Sequence, residues 1–81
     1  MSETIIATIP KNSREHIRIG LGDFKGHNLF SVRVWVNNAN SGESLPTQKG
    51  LTAGVALLPA VIEALQATLK RAYDSGVLPH V

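Results

Sequence analysis

The sequence predicts an α+β domain, a curved four-stranded antiparallel sheet followed by one C-terminal amphipathic helix that pairs with a second copy. Three observations predict it. Residues 5–53 carry β-branched runs that alternate with period two and are interrupted by Gly, Pro and Asn. Past Gly54 the apolar period becomes helical, with Leu58, Val61, Ile62, Leu65 and Leu69 on one stripe. Strands precede the helix, which is the α+β order.

Each element has its own signal. Residues 1–4 read as a loose end, and residues 5–9 as a short strand or an arm docked on a neighbour. Pro10 to Ser13 break that strand. In residues 14–21, Ile17, Ile19 and Leu21 face one way and His16, Arg18 and Gly20 the other. Residues 22–26 read as a turn, with Gly26 at positive φ. In residues 27–36, Phe30, Val32, Val34 and Val36 form one face and Leu29, Ser31, Arg33 and Trp35 the other. Residues 37–44 are loop, Pro46 limits where the fourth strand begins, and residues 47–53 form it. The helix starts between Val55 and Leu58, with Pro59 in its first turn, and ends near Tyr73 before an Asp-Ser-Gly stop. Lys70 and Arg71 suit its C-terminal dipole.

The 81 residues make one domain, 1–81, with a core over about 5–74. A chain this short is marginal alone, and with no cysteine it has neither disulfide nor thiolate metal site to brace it. Self-association is the simplest way to add core. The leucines, valines and isoleucines of the helix stripe, Leu58, Val61, Ile62, Leu65 and Leu69, are the expected dimer seam. The net charge is only +2, but Lys11, Arg14, Arg18, Lys25, Arg33 and Lys49 face just Glu15, Asp23 and Glu43 between residues 11 and 50. The positive excess lies on the strands, as in a polyanion-binding sheet.

Other classes are disfavoured. His16, His27 and His80 have no metal-ligand spacing, the carboxylates form no dyad, and neither glycine turn is a phosphate-cradling loop, so no enzyme, metal or cofactor is expected. No secretory leader pattern is visible, and the longest apolar stretch, residues 55–62, is too short to span a bilayer. A soluble intracellular protein with no membrane partner is expected.

Arg33 and Trp35 share a strand face two residues apart. That pairing suits phosphate neutralisation and base stacking, although a solvated cation and a packed indole give the same pattern. Phe24 beside Lys25 is an unusual turn for a core residue and suits stacking. Lys25 and Lys49 would flank one groove, the second basic turn at residues 45–50 closing over the same face. Arg14 and Arg18 would be accessory phosphate contacts. A protein-interaction adaptor working through the wide helix stripe is the competing class.

The runs I-P-K-N-S-R-E-H-I-R-I-G-L-G-D-F-K-G-H-N-L-F-S-V-R-V-W-V, G-E-S-L-P-T-Q-K-G-L-T and L-L-P-A-V-I-E-A-L resemble the positive cofactor four family of transcriptional coactivators, from about Ile9 to Leu69. The resemblance implies a dimer joined largely through its helices, with two antiparallel channels for single-stranded DNA that also suit melted duplex. RNA is an alternative ligand, and RNA polymerase or other transcription proteins are the partners that the adaptor reading would give. Phe24 and Lys25 match the family's turn, Arg33 its strand arginine, Trp35 a neighbouring aromatic, and Lys49 its second basic turn. His27 and Gln48 stand where basic residues are common, and Val36 where some members carry an aromatic. These departures predict weaker, more salt- and pH-sensitive binding. The chain lacks the Ser-rich tail of eukaryotic members and is similar to the minimal bacterial and phage form. The implied location is cytoplasmic and nucleoid-associated in such a host, nuclear in a eukaryote.

Overall fold

The structure, a computed structural model, describes residues 2–79. Four strands, β1 (Ser2–Pro10), β2 (Glu15–Phe24), β3 (His27–Asn37) and β4 (Ser44–Gly54), form one antiparallel sheet in the order β1-β2-β3-β4. A 3₁₀ turn at Val55–Leu57 leads into helix α1 (Leu58–Asp74). The α+β expectation holds.

The strands are longer than their alternation suggests, and each extension has a local cause. Residues 2–4, expected to be loose, belong to β1; Met1 lies outside the described residues. The Ile5-Ile6 doublet breaks period two, and a register shift between Ile5 and Ala7 absorbs the extra residue. The β2–β3 turn shrinks from the expected five residues to two, Lys25 and Gly26, both at positive φ (52° and 81°) as a type I′ hairpin requires. Residues 45–50, expected to be a basic turn, run inside β4. Pro46 is tolerated because β4 is an edge strand, and a second irregularity opposite Arg33–Trp35 takes up Thr47, Gln48 and Lys49.

The β1–β2 connection is closed by Asn12. Its side-chain oxygen accepts from the amides of Arg14 and Glu15, and its side-chain amide donates to Glu15 Oε1 at 2.8 Å. That bond, opposed in part by desolvation and helped by the Lys11 and Lys49 charges, holds the Glu15 carboxyl below its ordinary range.

Helix α1 starts with Pro59 in its first turn and stops as expected. Gly76, at φ 79°, donates to Tyr73 O, and Leu78 donates to Ala72 O. Its first turns lie over the sheet face built from Ile19, Leu21, Phe30 and Val32. Between them is an apolar cleft of about 330 Å³, bordered on the helix side by Leu58, Val61, Ile62 and Leu65. Phe30, 3% exposed, is the one buried apolar side chain among the described residues.

The residues expected to form a dimer seam therefore divide. Leu58 and Val61 are half-buried against the sheet, whereas Ile62, Leu65 and Leu69 are 47%, 61% and 47% exposed. The radius of gyration is 15.1 Å, against about 12 Å for a compact 81-residue domain. No described helix is long and apolar enough to cross a membrane.

Candidate nucleic-acid interface

The hairpin β2–β3 pairs without a break, so its register decides which side chains share a face. His16 lies opposite Trp35, Arg18 opposite Arg33, Gly20 opposite Ser31, and Phe24 opposite His27. All eight stand on the side of the sheet away from Phe30. β4 adds Thr52 and Gly50 beside Ser31 and Arg33, and Pro46 beside Trp35.

The centre of this face is two arginines in direct cross-strand apposition. Like charges at such a pair destabilise a sheet, and among the described residues neither guanidinium has a carboxylate within ion-pair distance. Both are held in place. Arg33 Nη1 donates to Thr47 O at 2.9 Å and Nη2 to Thr52 Oγ1 at 3.3 Å. Arg18 Nε donates to His16 Nε2 at 3.0 Å, and its guanidinium lies 4.1 Å from the centre of the Trp35 ring. The indole is thus neither a bare platform nor core. Arg18 covers one of its faces, a cation–π contact, and Trp35 also lines an open cleft with Pro46 and Arg33. Two oriented cations with no described carboxylate in ion-pair range, beside an aromatic, are the elements of a phosphate-and-base site, although the Glu3 carboxylate shares a cleft with Arg33.

The remaining expected residues fall elsewhere. Arg14 is exposed at the head of β2, next to this cluster, and its carbonyl accepts from Asn37 N. Phe24, Lys25 and His27 form a second group at the hairpin tip, with Lys25 Nζ 5.2 Å from the centre of the Phe24 ring. Phe24 is 47% exposed. Trp35 lies eight positions along β3 from His27 and Arg33 six, about 26 and 20 Å along a strand, so the tip and the arginine pair could only be two stations along one extended ligand. Between them the face carries Gly20, Gly22, Leu29 and Ser31, with the Glu3 side chain over Gly20.

The expected flanking role of Lys49 is not what the structure shows. Lys49 borders a shallow groove with Lys11, Ile17, Val32, Val34 and Leu51, residues of the opposite side of the sheet, to which Arg33 and Gly50 also contribute, and its charge helps to lower the Glu15 carboxyl. Alternation is the cause, since Lys49 adjoins Gly50, the rung partner of Arg33; Thr47 Oγ1 donates to Val34 O at 2.7 Å and accepts from Lys49 N, which fixes this segment against β3. Gln48 is exposed on the same segment.

Sequence reading missed three contributors: His16 as the acceptor that aims Arg18, Thr52 as the group that aims Arg33, and Glu3, whose carboxylate accepts from Ser31 Oγ. Alternation put His16 beside Arg18. Only the inter-strand register brought the other two in. No group of His, Asp or Glu fit to hold a metal occurs among the described residues, and His80 lies outside them.

Lys25 occupies a left-handed conformation that costs a non-glycine residue about 1 kcal/mol or more. Lys25→Asn should therefore stabilise the hairpin by about 0.5–1 kcal/mol, since Asn-Gly is the favoured type I′ pair. It should also weaken binding of a polyanion at the tip. Paired urea melts and oligonucleotide titrations of the variant check both signs.

Residues 11–67 match the family model described as Transcriptional Coactivator p15 (PC4). The chain is similar to the crystal structure of BPSL1147, a PC4 homologue from Burkholderia pseudomallei, with a TM-score of 0.74 and 30% identity over 83% of this chain and 89% of that one. The bacteriophage T5 homologue of the eukaryotic coactivator PC4, implicated in recombination-dependent DNA replication, shares the fold at a TM-score of 0.59 and 22% identity, covering 95% of this chain and 82% of that one. No curated protein matches the chain. With more than half its length matched by the family model and its strand order and helix in place, this chain belongs to the transcriptional coactivator p15 (PC4) family.

Proposed function

We propose that this chain is a homodimeric single-stranded DNA-binding protein acting on melted or single-stranded DNA in transcription or replication. The observation that carries the reading is the Arg18–Arg33 pair, oriented by His16, Thr47 and Thr52 and lacking a described counter-charge, beside Trp35. Phosphate oxygens supply the missing charge. Contacts to phosphates carry no base information, so this part of the site accepts any sequence. The homodimer is supported by the exposed Ile62–Leu65–Leu69 stripe and by a chain too extended to form a full core alone.

Titration with oligo-dT, followed by quenching of the single tryptophan, tests the reading. Binding should saturate at low salt and weaken by about 0.7 log unit per log unit of salt for each phosphate engaged. Sedimentation should give twice the chain mass. Absence of salt-sensitive binding at low salt rejects the nucleic-acid role. A stable monomer would instead leave the helix stripe for a different protein, as an adaptor requires.

A further inference from the structure

Glu3 is a carboxylate on a face otherwise suited to anions. Its position is built rather than incidental. Ser31 Oγ, on a buried residue, donates to Glu3 Oε2 at 2.9 Å. Gly20 leaves the room: a Cβ there would lie 3.0 Å from Glu3 Cδ. Glu3 then lines a cleft of about 360 Å³ together with Ser31, Arg33, Trp35, Pro46 and Thr52. This cleft holds an indole, a proline ring, a hydroxyl, a guanidinium and a carboxylate with lone pairs to spare beyond the Ser31 bond.

We propose that this cleft is a nucleobase pocket selective for guanine, with the Glu3 carboxylate accepting from the N1–H and N2 amino groups of the base. The inference rests on the strand-binding reading above and assigns to the same face a base-reading element that the arginine pair lacks. The chemistry singles out guanine. A carboxylate only accepts, and guanine is the one DNA base that presents two adjacent donors on its Watson–Crick edge. Cytosine and adenine place a ring acceptor next to their amino group, and thymine flanks its single N–H with two carbonyls. A base in the cleft is bounded by Trp35 and Pro46, while Arg33 remains available to the phosphate.

The experiment is competition binding of the full chain at low salt. The probes are oligo-dT and the same oligonucleotide carrying one central dG, dC, dA or deoxyinosine. The dG probe should bind about tenfold or more tightly than oligo-dT, the scale of one good bidentate base contact. Deoxyinosine, which keeps N1–H and lacks the N2 amine, should fall between. Glu3→Gln should abolish the preference and strengthen oligo-dT binding, because a negative charge leaves the phosphate path. Ser31→Ala should reduce the preference for the dG probe over oligo-dT. Equal binding of all probes with oligo-dT binding intact overturns the pocket alone, as does a guanine preference that survives Glu3→Gln. Loss of oligo-dT binding itself overturns the strand-binding reading and the pocket with it.

Discussion

Arg33→Ala is expected to weaken oligo-dT binding by about 1.5–3 kcal/mol, roughly tenfold to a hundredfold, the value of a hydrogen bond to a charged group. The loss should be nearly the same for every sequence, and the salt slope should shrink by about 0.7 for the phosphate given up. Folding should respond less. The variant loses a part-buried bond to Thr47 O and an exposed one to Thr52 Oγ1, a cost of about 0.5–1.5 kcal/mol each. It also relieves the repulsion between Arg18 and Arg33, which offsets part of that cost. Arg33→Lys keeps the charge but not the planar fork that reaches two partners at once, so it should recover only part of the affinity. Arg18→Ala combined with Arg33→Ala should be non-additive if the two guanidiniums share one phosphate. The checks are titrations at several salt concentrations beside urea melts at fixed protein concentration. A binding loss that merely tracks a stability loss would remove the arginine pair from the site.

Gly50→Ala is expected to be the most damaging single-methyl substitution in the sheet. Gly50 sits at φ 151°, and a Cβ there would lie 2.4 Å from Val32 O and 2.6 Å from Arg33 Cα. Both obstacles are backbone, so no rotamer change relieves them. The sheet must open between β3 and β4, at a cost of about 3 kcal/mol or more. That is a large share of the 5–15 kcal/mol typical of a whole domain. Gly26→Ala is the matched control. Gly26 also has positive φ, but a Cβ would meet nothing within 4 Å. It should cost only about 1–2 kcal/mol of conformational strain. The midpoint of urea unfolding distinguishes the two, and equal midpoints would contradict the close approach of β4 to β3. Because the displaced segment carries Arg33, Gly50→Ala should also lower oligo-dT affinity in whatever fraction remains folded.

Period and punctuation in the sequence were enough for the fold class and for most of the candidate site. Alternation in residues 14–36 assigned Phe30 to the interior and placed Arg33 with Trp35 on the other side, because side chains in a strand must alternate whatever the strand pairs with. The helix and its stop were equally legible, since Pro59, the 3.6-residue apolar stripe and Gly76 each act within a single element. Irregularity was not legible. The irregularity in β4 inserts two extra residues between the rungs of Trp35 and Arg33, so Pro46 and Gly50 keep one face, while Lys49, adjoining Gly50, lies on the other side near Glu15 and Lys11. The sequence pattern around Pro46 contains nothing that counts those extra residues.

Nor does an alternating strand say which rung it meets on its neighbour. Local chemistry, read residue by residue, established by itself the strands, the helix, the two faces and the cations that one face carries. Tertiary register alone decided that Arg18 confronts Arg33, that His16 and Thr52 aim them, that Phe24 stands about 26 Å from Trp35, and that Glu3 reaches Ser31 from 28 residues away. Those relations depend on hydrogen bonds between strands, which are properties of pairs of segments and are written in neither segment separately.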